Sequence, residues 1–472
     1  MRPVTSAEAV REAEAEYFAA HPGIDLMAKA ASQVAEHADL LLGERRRVLV
    51  VAGPGNNGGD ALFAAAVLAA RGRQVSCWLA MGRGHEDGLA AARDSGCVGL
   101  TGEEALAEAR EADLVIDGVT GIGGRPGLPA DVASLAGVCA RSGVPVLSID
   151  LPSGLDADSC PAGESFIATR TLTFAAEKFC HVARPAADRC GEVHVADIGL
   201  TLGEPSLWQA EESDLAACWP APDGRSDKYS RGVVGLDTGS ELYPGAGVLG
   251  VLGALCSGAG MVRYLGPARA EVLAAAPSVV AADGRVQALV VGSGWGGPDA
   301  KRFDAACQRG VPLIVDAEAL RHLPGALPPG SLLTPHAGEL ALLLGVVRAE
   351  VEADPVSHVR AAATQHAATV LLKGASQYVA GPCGRVSIAL PGPAWTAQAG
   401  SGDVLAGICG TLLAAGVEAE AAALAAAGLQ ALTAGEHPGP HPPDRIAREM
   451  PDTLARLLAR NAAVRSSSAA TS

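Results

Sequence analysis

The stretch RRVLVVAG (45–53) constrains this chain more than any other: an unbroken apolar run that ends in glycine. A strand with one wet face alternates polar and apolar residues. A continuous run belongs to a parallel strand covered by helices on both faces. The run passes into GPGNNGGDALF (53–63), and a helical pattern follows over 60–71, so a strand, a glycine loop capped by Asp60 and a helix are expected in that order. The same alternation continues with strands at 74–80, 114–119, 145–150, 171–176 and 192–200. It resumes with strands at 233–239, 260–266, 288–294, 311–316, 331–336, 369–374 and 385–390, and two Ala-rich helices close the pattern between Asp403 and Ala434. This is an α/β chain. From Gly203 to Lys228 the periodicity fails while Pro, Gly and charge accumulate. The expected division is a first domain at 1–205, a linker at 206–228, a second domain at 229–462 and a disordered tail at 463–472.

Charge and composition narrow the function. Acids outnumber bases 52 to 36, for a net charge of −16, which argues against nucleic-acid or anionic-membrane partners. Aromatic residues are 3% of the chain, too few for a base-stacking platform. Eleven cysteines, scattered without a CxxC pair, read as reduced thiols used as small core residues. The N-terminal MRPVTSAEAVREAEAEYF lacks an apolar signal core, and the Ala-rich stretch at 411–434 carries Glu418 and Glu420, so no membrane span is expected. A cytoplasmic, homo-oligomeric protein acting on small molecules is the expectation.

Polar equipment collects at the ends of the first domain's strands. Glycines 53, 55, 58 and 59 permit close backbone approach to an anion at a helix N-terminus, beside Asn56, Asn57 and Asp60. Asp117 opens a second glycine-rich loop, DGVTGIGGRPG, and SIDLPSGLDAD (148–158) supplies Asp150 and Ser153. Ligands of open α/β sheets bind outside the carboxyl ends of the strands, so Asn57, Asp117, Asp150 and Ser153 are expected at one mouth. Their hard oxygens suit potassium or a similar cation, and a remaining carboxylate can shuttle a proton.

GPGNNGGD, DGVTGIG and IDLPSGLDAD resemble the NAD(P)H-hydrate epimerase domain over residues 1–205. That resemblance implies a Rossmann-like three-layer sandwich that interconverts the R and S epimers of NAD(P)H hydrated at ring carbon 6. It implies substrate contacts from Asn56, Asn57, Gly58, Gly59, Asp60, Gly121, Ile122, Gly123, Gly124, Arg125, Pro126 and Gly127. Potassium would lie on Asn57, Asp117 and Ser153, with Asp150 as the acid–base at the ring. Two departures stand out: Ala61 where the family usually has Gly, and DGVTGIG in place of DALFGTG.

In the second domain, AWTAQAGSGDVLAGICGTLLAA (394–415) puts small residues and Asp403 at the start of a helix. Backbone N–H groups at such an end stabilise transferred phosphoryl charge, and Asp403 can take a hydroxyl proton. No GxxxxGK[ST] loop is present. KGASQ (373–377), TPHAGE (334–339), GSGWGG (292–297) and the small-residue helix at 244–256 accompany it. Together these resemble the ADP-dependent NAD(P)H-hydrate dehydratase, a ribokinase-like domain, over 225–460. The resemblance implies nucleotide contacts from Lys373, Gly374, Ala375, Ser376, Gln377 and Gly402, with Mg2+ accompanying ADP. It implies hydrate contacts from Ala246, Gly296, His336 and Asp403, with Asp403 as base. Glu318 and Arg321 in VDAEALR replace the Asp and Asn of the usual DADALN; TPHAGE and KGASQ replace TPHPGE and KGAxT. The alternatives are another kinase of the same fold, or a non-enzymatic first domain.

Overall fold

The computed structural model describes residues 1–21, 26–323 and 326–470, with only the backbone from 462 onward. It falls into two compact units, Pro3–Ser206 and Met1–Arg2 with Leu207–Ser472.

The first unit contains β1 (Arg2–Thr5), α1 (Ala7–Ala20), α2 (Leu26–Leu42), β2 (Arg47–Ala52), α3 (Asn56–Ala70), β3 (Gln74–Leu79), α4 (Glu86–Asp94), β4 (Val98–Leu100), α5 (Gly102–Glu108), β5 (Leu114–Gly118), α6 (Ala130–Ser142), β6 (Val146–Ile149), β7 (Arg170–Phe174), β8 (Glu177–Lys178), α7 (Phe179–Val182) and β9 (Glu192–Ala196). A parallel sheet runs β4-β3-β2-β5-β6-β7-β9. The unbroken apolar run has a direct explanation. Val48 and Val50 pack under α2 and α3, while Leu49 and Val51 pack with Val132 and Leu135 of α6 on the other face. The central strands β2, β5, β6 and β7 are buried on both sides, which makes a three-layer sandwich. α3 begins at Asn56, so NNGGD forms its first turns, and Asp60 lies inside the helix instead of capping it. The helix starts earlier than its sequence suggests because tertiary packing overrides the glycines' poor helix propensity. Gly58 lies so close to Gly53 that a side chain would strike its carbonyl oxygen.

The second unit contains β10 (Leu207–Gln209), α8 (Glu212–Cys218), β11 (Val233–Asp237), α9 (Pro244–Cys256), β12 (Met261–Tyr264), α10 (Arg269–Ala275), β13 (Ala288–Val291), α11 (Ala300–Cys307), β14 (Leu313–Val315), β15 (Leu332–Leu333), α12 (Ala337–Leu344), α13 (Arg348–Ala353), α14 (Pro355–His366), β16 (Thr369–Leu372), β17 (Tyr378–Ala380), β18 (Val386–Ile388), α15 (Ser401–Ala414), α16 (Ala419–Glu436) and α17 (Pro443–Ala470). Its strands run β12-β11-β13-β14-β15-β16-β17-β18-β10. They are parallel from β12 to β16; β17 is antiparallel to both its neighbours, and β10 is parallel to β18. The small residues of α9 allow it to cross α15 backbone against backbone. A side chain at Gly253 would strike the Val404 carbonyl oxygen, and one at Gly407 that of Gly250.

Two boundaries differ from the sequence reading. The segment expected to be a linker carries β10 and α8, and it belongs to the second unit. Its three residues Leu207–Gln209 become a strand by pairing with the distant β18, Trp208 beside Ser387 and Gln209 beside Ile388. The tail expected to be disordered continues α17 to Ala470, and residues 471–472 lie outside the described residues. Among the described residues, no helix is long and apolar enough to cross a membrane.

Candidate active sites

In the first unit, the carboxyl ends of β2, β5 and β6 open on a cavity of about 480 Å³. Asn56, Asn57, Asp60, Gly121, Ile122, Gly123, Gly124 and Asp150 line it. So do Arg11, Glu14, Thr120, Phe174 and Lys178, which the sequence reading did not name. Arg125, Pro126 and Gly127 are not among the lining residues, and the Gly127 N–H is tied back to Gly154 at 2.9 Å. Gly58 and Gly59 serve close packing, Gly59 against Met27 and His85.

Asp150 is the centre of this site. It follows β6 with φ of 66°, a left-handed conformation that costs a non-glycine residue about 1–3 kcal/mol. The strain is held by specific bonds. Lys178 donates to Oδ1 at 2.8 Å, Thr173 to Oδ1 at 3.1 Å, and the Ile122 N–H to Oδ2 at 2.9 Å. Lys178 is fully buried and also donates to Thr173 Oγ1 at 2.7 Å and the Phe174 carbonyl at 3.0 Å. Burial pushes the Asp150 carboxyl up, but the adjacent Lys178 ammonium overrides it, holding the group below its ordinary range. The signal for Lys178 was present in TLTFAAEK, a cation just past a strand end, but β8 is two residues long and leaves no periodicity.

Asp117 and Ser153 lie behind the mouth. Asp117 Oδ2 accepts from Ser148 Oγ at 2.9 Å and the Ser153 N–H at 2.8 Å, while Oδ1 accepts from the Val119 N–H at 3.3 Å. Every one of these partners is neutral. Burial therefore pushes the carboxyl up to about 6 despite the hydrogen bonds. Nearby, Thr120 Oγ1 is buried without a partner among the described residues, and Ser153 Oγ bonds the Thr120 backbone. A fully buried carboxylate with neutral partners and an orphaned hydroxyl oxygen is a donor set that fits a hard monovalent cation.

Ala61 and Gly118, one position from each departure in this domain, meet in space. A β-carbon at Gly118 would lie 2.5 Å from the Ala61 methyl, which is fully buried. In this chain the Ala61 methyl occupies the space that a side chain at Gly118 would need.

In the second unit, Asp403 is in the first turn of α15, whose Gly400 N-cap has φ of 94°. The first N–H groups of a helix have no intrahelical partner, so the Gly402 and Asp403 amides offer an anion site. A side chain at 402 would approach Lys373 Nζ within 3.4 Å. Lys373 pairs with Asp316 Oδ1 at 2.6 Å, and Asp316 also accepts from Ser293 Oγ and Thr334 Oγ1 at 2.9 Å each. Asp316 closes a parallel strand but was passed over as part of VDAEALR. Burial pushes the Asp403 carboxyl up to about 7; the charges of Asp316 and Glu318 add to this, against Lys373 and a Ser293 hydrogen bond. Burial works to lower Lys373, yet Asp316, Glu339 and Asp403 hold it above its ordinary value.

The remaining expected residues separate. Ala246 packs against Gly294 of the GSGWGG loop, and Gly296 faces Ser240 and Tyr243. His336 caps α12, its Nδ1 accepting from the N–H groups of Gly338 at 3.0 Å and Glu339 at 3.2 Å. Among the described residues, Gln377 Oε1 is buried without a partner, as is Glu318 Oε2. Gly374 has the carbonyl oxygen of Ser376 close by, and Ala375 lies between them in the loop.

The fold and these sites define a two-unit α/β enzyme class: a Rossmann-like sandwich with a buried Asp–Lys pair, and a ribokinase-like unit with a carboxylate at an anion-binding helix end. The family described as YjeF-related protein N-terminus matches residues 23–180, and that described as NAD(P)H-hydrate dehydratase matches 234–451. The chain is 40% identical over 445 residues to the bifunctional NAD(P)H-hydrate repair enzyme of Mycobacterium tuberculosis, covering 90% of this chain and 91% of that one. It is 41% identical over 447 residues to the Mycobacterium leprae enzyme of the same description, with the same coverage. A ribokinase-like superfamily protein from Enterococcus faecalis matches in structure with a TM-score of 0.50 and 19% identity, over 54% of this chain and 98% of that one. The chain belongs to the bifunctional NAD(P)H-hydrate repair enzyme family.

Proposed function

We propose that the chain restores hydrated NADH and NADPH in two steps, epimerising the R and S hydrates in the first unit and dehydrating the S hydrate in the second. The observation that carries the reading is the state of the two key carboxylates. Asp150 is held ionised by Lys178, ready to accept a proton at the hydrated ring carbon. Asp403, pushed up to about 7, takes the proton of the S-hydrate hydroxyl at near-neutral pH. That oxygen then attacks the terminal phosphoryl group of ADP, the developing charge is met by the α15 N-terminus, and AMP leaves. Loss of phosphate with a ring proton regenerates the dihydronicotinamide.

Lys373, held beside Gly402, gives the nucleotide phosphates a fixed cation, with Gly374, Ala375, Ser376 and Gln377 completing that wall. Ala246, Gly296 and His336 bound the hydrate. Glu318, with a buried unpartnered oxygen, and Asp316 would hold Mg2+, which screens phosphate charge when bound. Asn57, Asp117 and Ser153 would hold potassium, which would neutralise the buried Asp117 charge and steady the glycine loops.

The test is incubation of purified protein with mixed R and S NADPH hydrate, with and without ADP, following dihydronicotinamide absorbance. Full recovery with ADP, with AMP and phosphate released, is expected. Recovery that stops at the S fraction overturns the epimerase half, and no recovery overturns the dehydratase half.

A further inference from the structure

We propose that Glu14 is the second catalytic carboxylate of the epimerase site, the proton donor that works against Asp150. This rests on the epimerase reading above. Glu14 sits on α1, one turn after Val10 and Arg11, and all three line the cavity that also holds Asp150 and Lys178. α1 is fixed at that cavity by two bonds on the N-terminal side of Glu14. The Ala7 N–H donates to Asp158 Oδ1 at 2.8 Å, and Arg11 donates to the Ile122 carbonyl at 2.8 Å, joining the helix to the glycine loop that also binds Asp150. Glu14 is half-buried, and among the described residues no hydrogen bond or ion pair engages its carboxyl. A half-buried carboxyl that lines the same cavity as the site's own acid–base, and that no described residue engages, is placed for the ligand.

The charged groups around it set its state. Burial raises the Glu14 carboxyl, the Asp150 charge raises it further, and Lys178 and Arg11 oppose them without reversing the result. Asp60 lies across the same cavity. The neighbouring Asp150 is pushed the other way by Lys178. Two carboxyls driven apart in one site are an acid and a base.

The step balances without a co-reactant. The Glu14 proton passes to the C6 hydroxyl, the C6–O bond breaks, and water leaves with the bonding pair. The ring nitrogen's lone pair forms N1=C6. Water returns to the other face of C6, its electron pair forms the new C6–O bond, and its surplus proton passes to Asp150. Solvent exchange then returns a proton to Glu14 and removes one from Asp150. The reverse epimerisation runs the same sequence backwards.

The experiment uses the full-length chain and purified R-hydrate without nucleotide, measuring exchange to S by chromatography from about pH 5.5 to 9 for wild type, Glu14→Gln and Glu14→Asp. Because Glu14 must be protonated, wild-type kcat/KM is expected to fall on the alkaline side of its raised pKa. Glu14→Gln should lower the catalysed rate by about 10²–10⁴-fold and lose that limb. Glu14→Asp should retain most activity, with the limb moved. ADP-dependent dehydration of S-hydrate by the same preparations verifies folding of the other unit, and circular dichroism verifies the whole chain. A Glu14→Gln enzyme with near-normal exchange and an unchanged limb overturns the proposal. If that variant does not fold, the wild-type and Glu14→Asp profiles decide, and absence of an alkaline limb overturns it. Wild type that never exchanges R and S overturns the epimerase reading itself, a distinct result.

Discussion

Replacing Lys178 with methionine removes the buried cation of the Asp150 pair while keeping the length of the side chain. Lys178 is fully buried and the Asp150 side chain is 10% exposed, so water cannot take over the lost partner. Removing one member of a buried pair costs about 3–5 kcal/mol, because the other charge is left uncompensated. For a folded unit of this size, that is a loss of about 6–20 °C in melting temperature. The pH dependence separates this cause from lost packing. In the wild type the Asp150 carboxyl lies below its ordinary value, so its contribution is present above the unfolded pKa and is lost as pH falls through the folded one. In Lys178→Met, burial acts without the opposing cation, and the carboxyl rises above its unfolded value. The variant's deficit is therefore greatest near neutral pH and shrinks on acidification, as Asp150 becomes protonated. Adding Asp150→Asn to Lys178→Met neutralises the site and should recover much of the loss. Scanning calorimetry of the full chain across pH measures the wild type and both variants. A deficit under about 1 kcal/mol, or one that does not change with pH, would refute the electrostatic account of the pair.

Asp403→Asn keeps the shape of the first turn of α15 but cannot accept a proton. ADP-dependent dehydration should fall by about 10²–10⁴-fold while R/S exchange continues. In the wild type, dehydratase kcat/KM should fall as pH drops through about 7, where the base becomes protonated, and a pH-rate profile checks the limb. Gly118→Ala should destabilise by about 1–3 kcal/mol by driving a methyl into Ala61, and adding Ala61→Gly should recover part of this in a denaturation cycle. Additive losses would show that the two positions do not share one space.

Local sequence determined the α/β class and both glycine-rich helix entrances. VLVV declares a strand buried on both faces, and GSGD declares a helix start whose amides point outward, because these signals depend on residues adjacent in the chain. The same reasoning ended α3's glycine segment too late and read Leu207–Cys218 as linker, since a three-residue strand leaves no periodicity until its partner is known. The separation is sharper at the sites. Asn57, Asp150 and Asp403 were legible as polar residues at strand and helix ends. Lys178, Glu14 and Asp316 were passed over, because a lone charge just past a strand or on a helix reads locally like a surface charge. Burial of Lys178 to 0% exposure, the meeting of α1 with the end of β6, and the joining of Asp316 to Lys373 across 57 residues of chain are acts of tertiary folding. Which carboxyl is held low and which is pushed up follows from desolvation and from charges brought near in space. Only the tertiary structure decided that.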